Sequence, residues 1–129
     1  MIRVFVYGTL MPGYRNHERF AAPHLISCRP ATTQGKLYHL PAGYPGVVEG
    51  EGIVHGKLLE LRDEALPPLD ELEAYDPAAA PEENEYYRRE VSVALETGDG
   101  VNAWIYFIAL ERVESMRGIR VESGHWRGE

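Results

Sequence analysis

The hydrophobic positions of this chain alternate in short runs and seldom recur at helical spacing. Ile2 to Tyr7 is β-branched and aromatic and stops at Gly8, which predicts a strand feeding a tight loop. The loop Gly8-Thr9-Leu10-Met11-Pro12-Gly13 leads into Asn16 to Phe20, read as a short helix with Asn16 as its N-cap. Gly35 to Leu40 reads as a strand. Pro41 to Gly52 holds two prolines and four glycines and predicts a long, turn-rich loop. Ile53 to Leu61 is a strand interrupted by Gly56. Asp63 to Tyr75 carries the next helix signal. Pro67-Pro68 favours a start near Pro68, and Asp76-Pro77 ends the segment. Tyr87 to Leu95 alternates, with Val91, Val93 and Leu95 on one face. After the turn Thr97 to Gly100, Asn102 to Leu110 is an apolar run containing Trp104, Tyr106 and Phe107. Beyond Arg112 no pattern dominates. About five strands and two or three short helices predict an α+β fold: a small curled mixed sheet or barrel with helices packed at its ends.

Composition narrows the function classes. A length of 129 residues suits one domain, and 44% hydrophobic residues supply a core. No run of about 18 apolar residues is present, so no membrane span is expected. The N-terminal run lacks a small-residue cleavage site, and a cytoplasmic location is the expectation. Cys28 is the sole cysteine, which rules out an internal disulfide. The formal charge is -7, and 12 of the 20 acidic residues lie between Glu60 and Glu96. Such a surface repels phosphate backbones, so no nucleic-acid partner is expected.

Candidate chemistry is sparse. The five histidines lack H-x-x-x-H and H-E-x-x-H spacing, and no cysteine pair exists, so no metal and no cofactor is expected. GxSxG and GxxxxGK[ST] are both absent. Cys28 has no nucleophile motif around it and reads as a packing residue. Two features remain. In Tyr7-Gly8-Thr9-Leu10, successive backbone N–H groups can converge on an anion or oxyanion, although the spacing alone favours a plain strand-ending turn. On the 63–75 helix, Glu73 lies about 70° from the centre of the apolar stripe set by Leu69 and Leu72, while Asp70 and Glu71 lie about 130° away on the wet side. A carboxylate aimed at apolar surroundings gains basicity. A boundary glutamate paired with Arg88 or Arg89 fits the same wheel.

These pieces occur together in one family. The chain resembles the γ-glutamylcyclotransferase-like, or AIG2-like, proteins. Tyr7-Gly8-Thr9-Leu10 is similar to their YGTL/YGSL motif, and Leu69 to Pro77 to their LDxxEGYDP segment. Gly43-Tyr44-Pro45-Gly46, Tyr87-Arg88-Arg89 and Ala103 to Tyr106 resemble their glycine-proline loop, YxR strand and late aromatic strand. The resemblance implies a small barrel with the YGTL loop beside the glutamate helix, and Glu73 at the catalytic position. Ala74 stands where the family often has glycine.

It also implies a small-molecule γ-glutamyl substrate whose own α-amine attacks its γ-carbonyl and releases 5-oxoproline. Well-oriented internal attack reaches effective molarities of about 10⁵–10⁸ M. Glu73 would take the ammonium proton and return it to the departing amine. Gly8, Thr9 and Leu10 would bind carboxylate or oxyanion. Tyr7 would line the pocket, and Tyr106 would orient the substrate. The 41–52 and 78–85 loops would read the leaving group. Two alternatives stand beside this reading: a non-catalytic γ-glutamyl-binding or regulatory module, and an enzyme cleaving another acyl-amine such as a protected biosynthetic intermediate.

Overall fold

The computed structural model describes residues 1 to 128, the side chain of Glu82 excepted. Its strands are β1 (Ile2–Val6), β2 (Leu25–His39), β3 (Pro45–Leu61), β4 (Tyr87–Leu95), β5 (Gly100–Phe107) and β6 (Ile119–Arg120). Its α-helices are α1 (Leu66–Leu72) and α2 (Leu110–Ser115), joined by shorter helical turns. β1 lies antiparallel to β3 and parallel to β5, where Val4 faces Trp104. β5 pairs antiparallel with β4, β4 with the middle of β2, and β2 returns along β3. The order β3-β1-β5-β4-β2 therefore closes on itself as a five-stranded barrel, with β6 added to the far end of β2. Closure gives each of the five strands a partner on both sides over part of its length. The mixed α+β barrel expected from the sequence is the fold observed.

Side-chain alternation splits the core in two. Phe5, Leu58, Val93, Ala103 and Ile105 pack together with Leu37, Val47 and Val54. Their neighbours Val4, Val6, Leu59, Leu61 and Tyr106 point the other way, against Ala65 and Leu69 and against Val113 of α2. This second layer holds α1 against the barrel wall.

Several boundaries differ from the sequence reading. The 41–52 segment is not one long loop: only residues 41–44 turn, and Pro45 opens β3. The glycines there serve a bulge. Pairing jumps from Gln34↔Ile53 to Lys36↔Val48, and Gly50 and Gly52, at φ 154° and 133°, absorb the extra residues. β2 begins at Leu25 rather than Gly35, and Pro30 lies outside the stretch that pairs with β4. β5 stops at Phe107, and Leu110 opens α2. Asn16 is not an N-cap. Its backbone is already helical, and its side chain donates instead to Thr9 Oγ1 at 2.8 Å. The helix after it is a single π-type turn, His17–Ala21.

α1 begins at Leu66 rather than Pro68. Pro67 and Pro68 occupy its first turn, where a missing N–H leaves no bond unmade. It ends at Leu72, earlier than Asp76-Pro77 suggested. Glu73 is the C-cap, Ala74 N–H donates to Glu71 O at 3.1 Å, and Tyr75 N–H donates to Asp70 O at 2.9 Å. This is a Schellman ending, which needs a left-handed residue after the cap. Ala74 fills that position at φ 53°. A Cβ is disfavoured there. Ala74→Gly is expected to raise stability by about 1 kcal/mol, read as a higher urea midpoint at unchanged slope. A midpoint at or below wild type would mean that the alanine carries no strain.

Candidate active site

Beyond Val6 the chain leaves the barrel and turns at Gly8. Met11 N–H donates to Gly8 O at 3.0 Å and His17 N–H to Thr9 O at 3.2 Å. The buried His17 ring donates from Nδ1 to Leu10 O at 2.8 Å. These bonds use the carbonyls of Gly8, Thr9 and Leu10 and leave their N–H groups aside. A side chain at position 8 would not fit, since its Cβ would lie 2.5 Å from Pro45 Cγ. The turn is thus pressed against the start of β3.

A cavity of about 340 Å³ opens between this turn, the 43–45 segment and the end of α1. Glu73 lines it, together with Tyr7, Gly8, Thr9, Leu10 and Tyr106. All six positions singled out in the sequence therefore meet around one space. Sequence reasoning did not single out Tyr44, Glu85, Tyr86 and Asn16, which line it as well. Tyr44 sits inside the glycine-proline segment, so its motif was the available signal. Glu85 and Tyr86 precede β4 with no periodicity to mark them.

No Lys or Arg side chain lines the cavity among the described residues. The two arginines offered as partners for Glu73 are engaged elsewhere. Arg88 makes two bonds to Asp70, at 2.8 and 3.1 Å, and Arg89 reaches Glu49 at 3.3 Å. Asp70 is not on the wet side as the wheel implied. It is 18% exposed and also accepts the Tyr106 hydroxyl at 2.7 Å. The wheel used two leucines to define the buried face, and Tyr106 and Arg88 supply a second, polar contact it could not include. The Arg88 guanidinium sits over Trp104, 4.4 Å from the ring centroid, and over Tyr75 at 5.2 Å.

Glu73 is half-buried. It opens to solvent through the cavity, yet its carboxyl is largely surrounded by protein atoms. Burial, with the Glu85 charge adding to it, pushes its pKa up to about 7. The tyrosines around it are held protonated: burial pushes Tyr7, Tyr86 and Tyr106 above the ordinary phenol range. Their hydroxyls are committed as donors, Tyr7 to Tyr106 O at 2.6 Å and Tyr86 to Pro45 O at 2.6 Å. Tyr44 donates to Glu85 Oε1 at 3.0 Å. The lining keeps donors in the Thr9 hydroxyl and the Asn16 amide, and the backbone N–H groups of Gly8, Thr9 and Leu10 take no part in the bonds described.

Elsewhere the chemistry is quieter. Among the described residues no three His, Cys, Asp or Glu side chains converge as a metal site. Burial raises the pKa of the half-buried Cys28 thiol, which makes it less nucleophilic. Among the described residues no helix is long and apolar enough to cross a membrane.

Comparison with known proteins agrees with this arrangement. The chain is 37% identical over 131 aligned residues to a Methanocaldococcus jannaschii protein provisionally named a γ-glutamylcyclotransferase, covering 96% of this chain and 94% of that one. Over 75 residues, 58% of this chain and 47% of the other, it is 40% identical to γ-L-glutamyl-butirosin B γ-glutamyl cyclotransferase of Niallia circulans. The solution structure of ytfP from Escherichia coli superposes with a TM-score of 0.64 at 27% identity, covering 97% of this chain and 96% of that one. The family model for γ-glutamyl cyclotransferase, AIG2-like proteins matches residues 4–128, and the chain belongs to that family.

Proposed function

We propose that this protein is a cyclotransferase that releases 5-oxoproline from γ-glutamyl amides, with Glu73 as general base and then general acid. The observation that carries the proposal is a carboxyl raised to about 7, lining a solvent-connected cavity beside the first turn and without a cationic neighbour in the lining. The substrate brings its own nucleophile. Its α-ammonium gives a proton to Glu73, and the free amine attacks the γ-carbonyl. The carbonyl electrons move onto oxygen, where N–H groups of Gly8, Thr9 and Leu10 stabilise the charge or hold the substrate carboxylate. As the tetrahedral centre collapses, Glu73 returns the first proton to the departing amine and the bond to that amine breaks; the ring nitrogen then gives up its second proton, which passes by way of Glu73 to the amine, so that a lactam and an ammonium ion leave. Tyr7 and Tyr106 shape the wall, and Tyr106 also ties the cavity to Asp70. A pKa near neutrality serves both transfers: a normal carboxylate would be a weaker base, and a fully protonated one could not start.

Three outcomes follow. Glu73→Gln is expected to lower kcat/KM for 5-oxoproline release by about 10²–10⁴-fold. Equal activity in the two proteins would remove Glu73 from the mechanism. In wild type, kcat/KM should rise with pH through about 7, as Glu73 ionises, and then level; a profile flat from pH 5 to 9 contradicts the assignment. Stability gives a check independent of turnover. A carboxyl with a raised folded-state pKa holds its proton more tightly folded than unfolded. Its favourable contribution is therefore complete below the ordinary carboxylate range and is lost as pH rises through about 7. Glu73→Gln should thus be more stable than wild type at pH 8, by on the order of 2 kcal/mol, with the gap closing toward pH 4. Parallel stability curves would show the carboxylate to be well solvated.

A further inference from the structure

The cavity has two polar ends of opposite character. One is the first turn, whose N–H groups take no part in the bonds described. The other is the wall formed by Tyr44 and Glu85, which presents a carboxylate. Glu85 does not reach this wall by chance of rotamer alone. The preceding loop is tied down by the buried Asn84, which accepts from Asp76 N–H at 2.8 Å and donates to Asp76 O at 3.2 Å. Tyr44 then grips the Glu85 carboxyl from the 41–44 turn at 3.0 Å. A cation felt at this end is Arg112, which acts on Tyr44 from outside the lining and has an interaction of its own.

We infer that Glu85 is a specificity residue that reads the charge of the leaving amine, favouring amines that carry a second ammonium group and disfavouring those that carry a carboxylate. The inference rests on the cyclotransferase reading and deepens it. A γ-glutamyl substrate already carries one carboxylate, on its α-carbon, and the first turn is where donors can receive it. Its amide then projects toward the remaining polar wall. There a second carboxylate on the leaving amine meets Glu85, with no lining Lys or Arg to offset the repulsion. An ammonium in the same place gains a partner in a confined site, where charge pairs act more strongly than in water. The Glu85 charge already acts on Glu73, so charges in this lining are not fully screened from one another.

The test uses three γ-glutamyl amides of equal chain length, made from butylamine, diaminobutane and γ-aminobutyrate. Rates of 5-oxoproline release and equilibrium dissociation constants are both measured. In wild type, kcat/KM should fall by about tenfold from the diaminobutane to the butylamine compound, and again to the γ-aminobutyrate compound. Glu85→Gln should compress both ratios toward one, and Glu85→Lys should reverse the order. The ratios matter because any change in Glu73 basicity in these variants is common to all three substrates. Equal losses for all three in Glu85→Gln would assign Glu85 to the shared glutamyl end and overturn the inference. So would a wild-type order independent of charge. If none of the three releases 5-oxoproline, the cyclotransferase reading fails by itself. The dissociation constants then decide charge selection: the same cation-first order upholds it, and equal constants remove it.

Discussion

The structure depends on how Asp70 is held. α1 spans only seven residues, too few to persist as an isolated helix. Leu69 supplies an apolar anchor, and Asp70 supplies a polar one through two bonds from Arg88 and one from Tyr106. Arg88 comes from β4 and Tyr106 from β5, so one carboxylate ties the helix to two barrel strands. Removing either partner from such a partly buried pair costs about 3–5 kcal/mol, because a charge is left without its neighbour. The same arrangement has an electrostatic result three residues further on. The cation nearest the helix is spent on Asp70, and Glu73 faces the cavity without one.

Several buried tyrosines surround that cavity beside Glu73, and their environments separate the roles. Tyr7 and Tyr86 donate to backbone carbonyls, and Tyr106 donates to a carboxylate. Each bond favours the protonated phenol, in the same direction as burial. The phenols therefore act as rigid walls and posts. Glu73 differs because burial favours its neutral form while the opening to solvent leaves its charged form within reach, which is the balance a proton carrier needs near neutrality.

The features legible in the sequence were those set by local pattern. β1 ends where Gly8 interrupts an apolar run, and β4 matches its alternation from Tyr87 to Leu95 without adjustment. Glu73 could be aimed because the wheel needs only Leu69 and Leu72. What escaped the pattern depends on partners distant in the chain. The β2–β3 hairpin was cut short because Pro45, Gly50 and Gly52 read locally as turn residues, yet one opens a strand and two occupy a bulge whose need arises from Lys36 and Gln34 opposite. Asp70 read as solvent-facing because its partners lie 18 and 36 residues away. Glu85 is placed by Asn84 and Tyr44, and no spacing rule connects those three residues.

The first turn adds a consequence for how this protein can change over time. On the proposed reading its contribution to ligand recognition comes from amide groups that every residue except proline carries, so most single-residue changes there leave the hydrogen-bonding capacity intact. What they alter is shape and packing: at Gly8 the ring of Pro45 allows no added atom, Thr9 would lose its bond from Asn16, and Leu10 is part of the core. Hydrogen bonding to the invariant half of a substrate is in this way insulated from drift. The side chains of Tyr44 and Glu85 enjoy no such protection, and a change at Glu85 also alters the field felt at Glu73, so selectivity at that wall and basicity beside it change together.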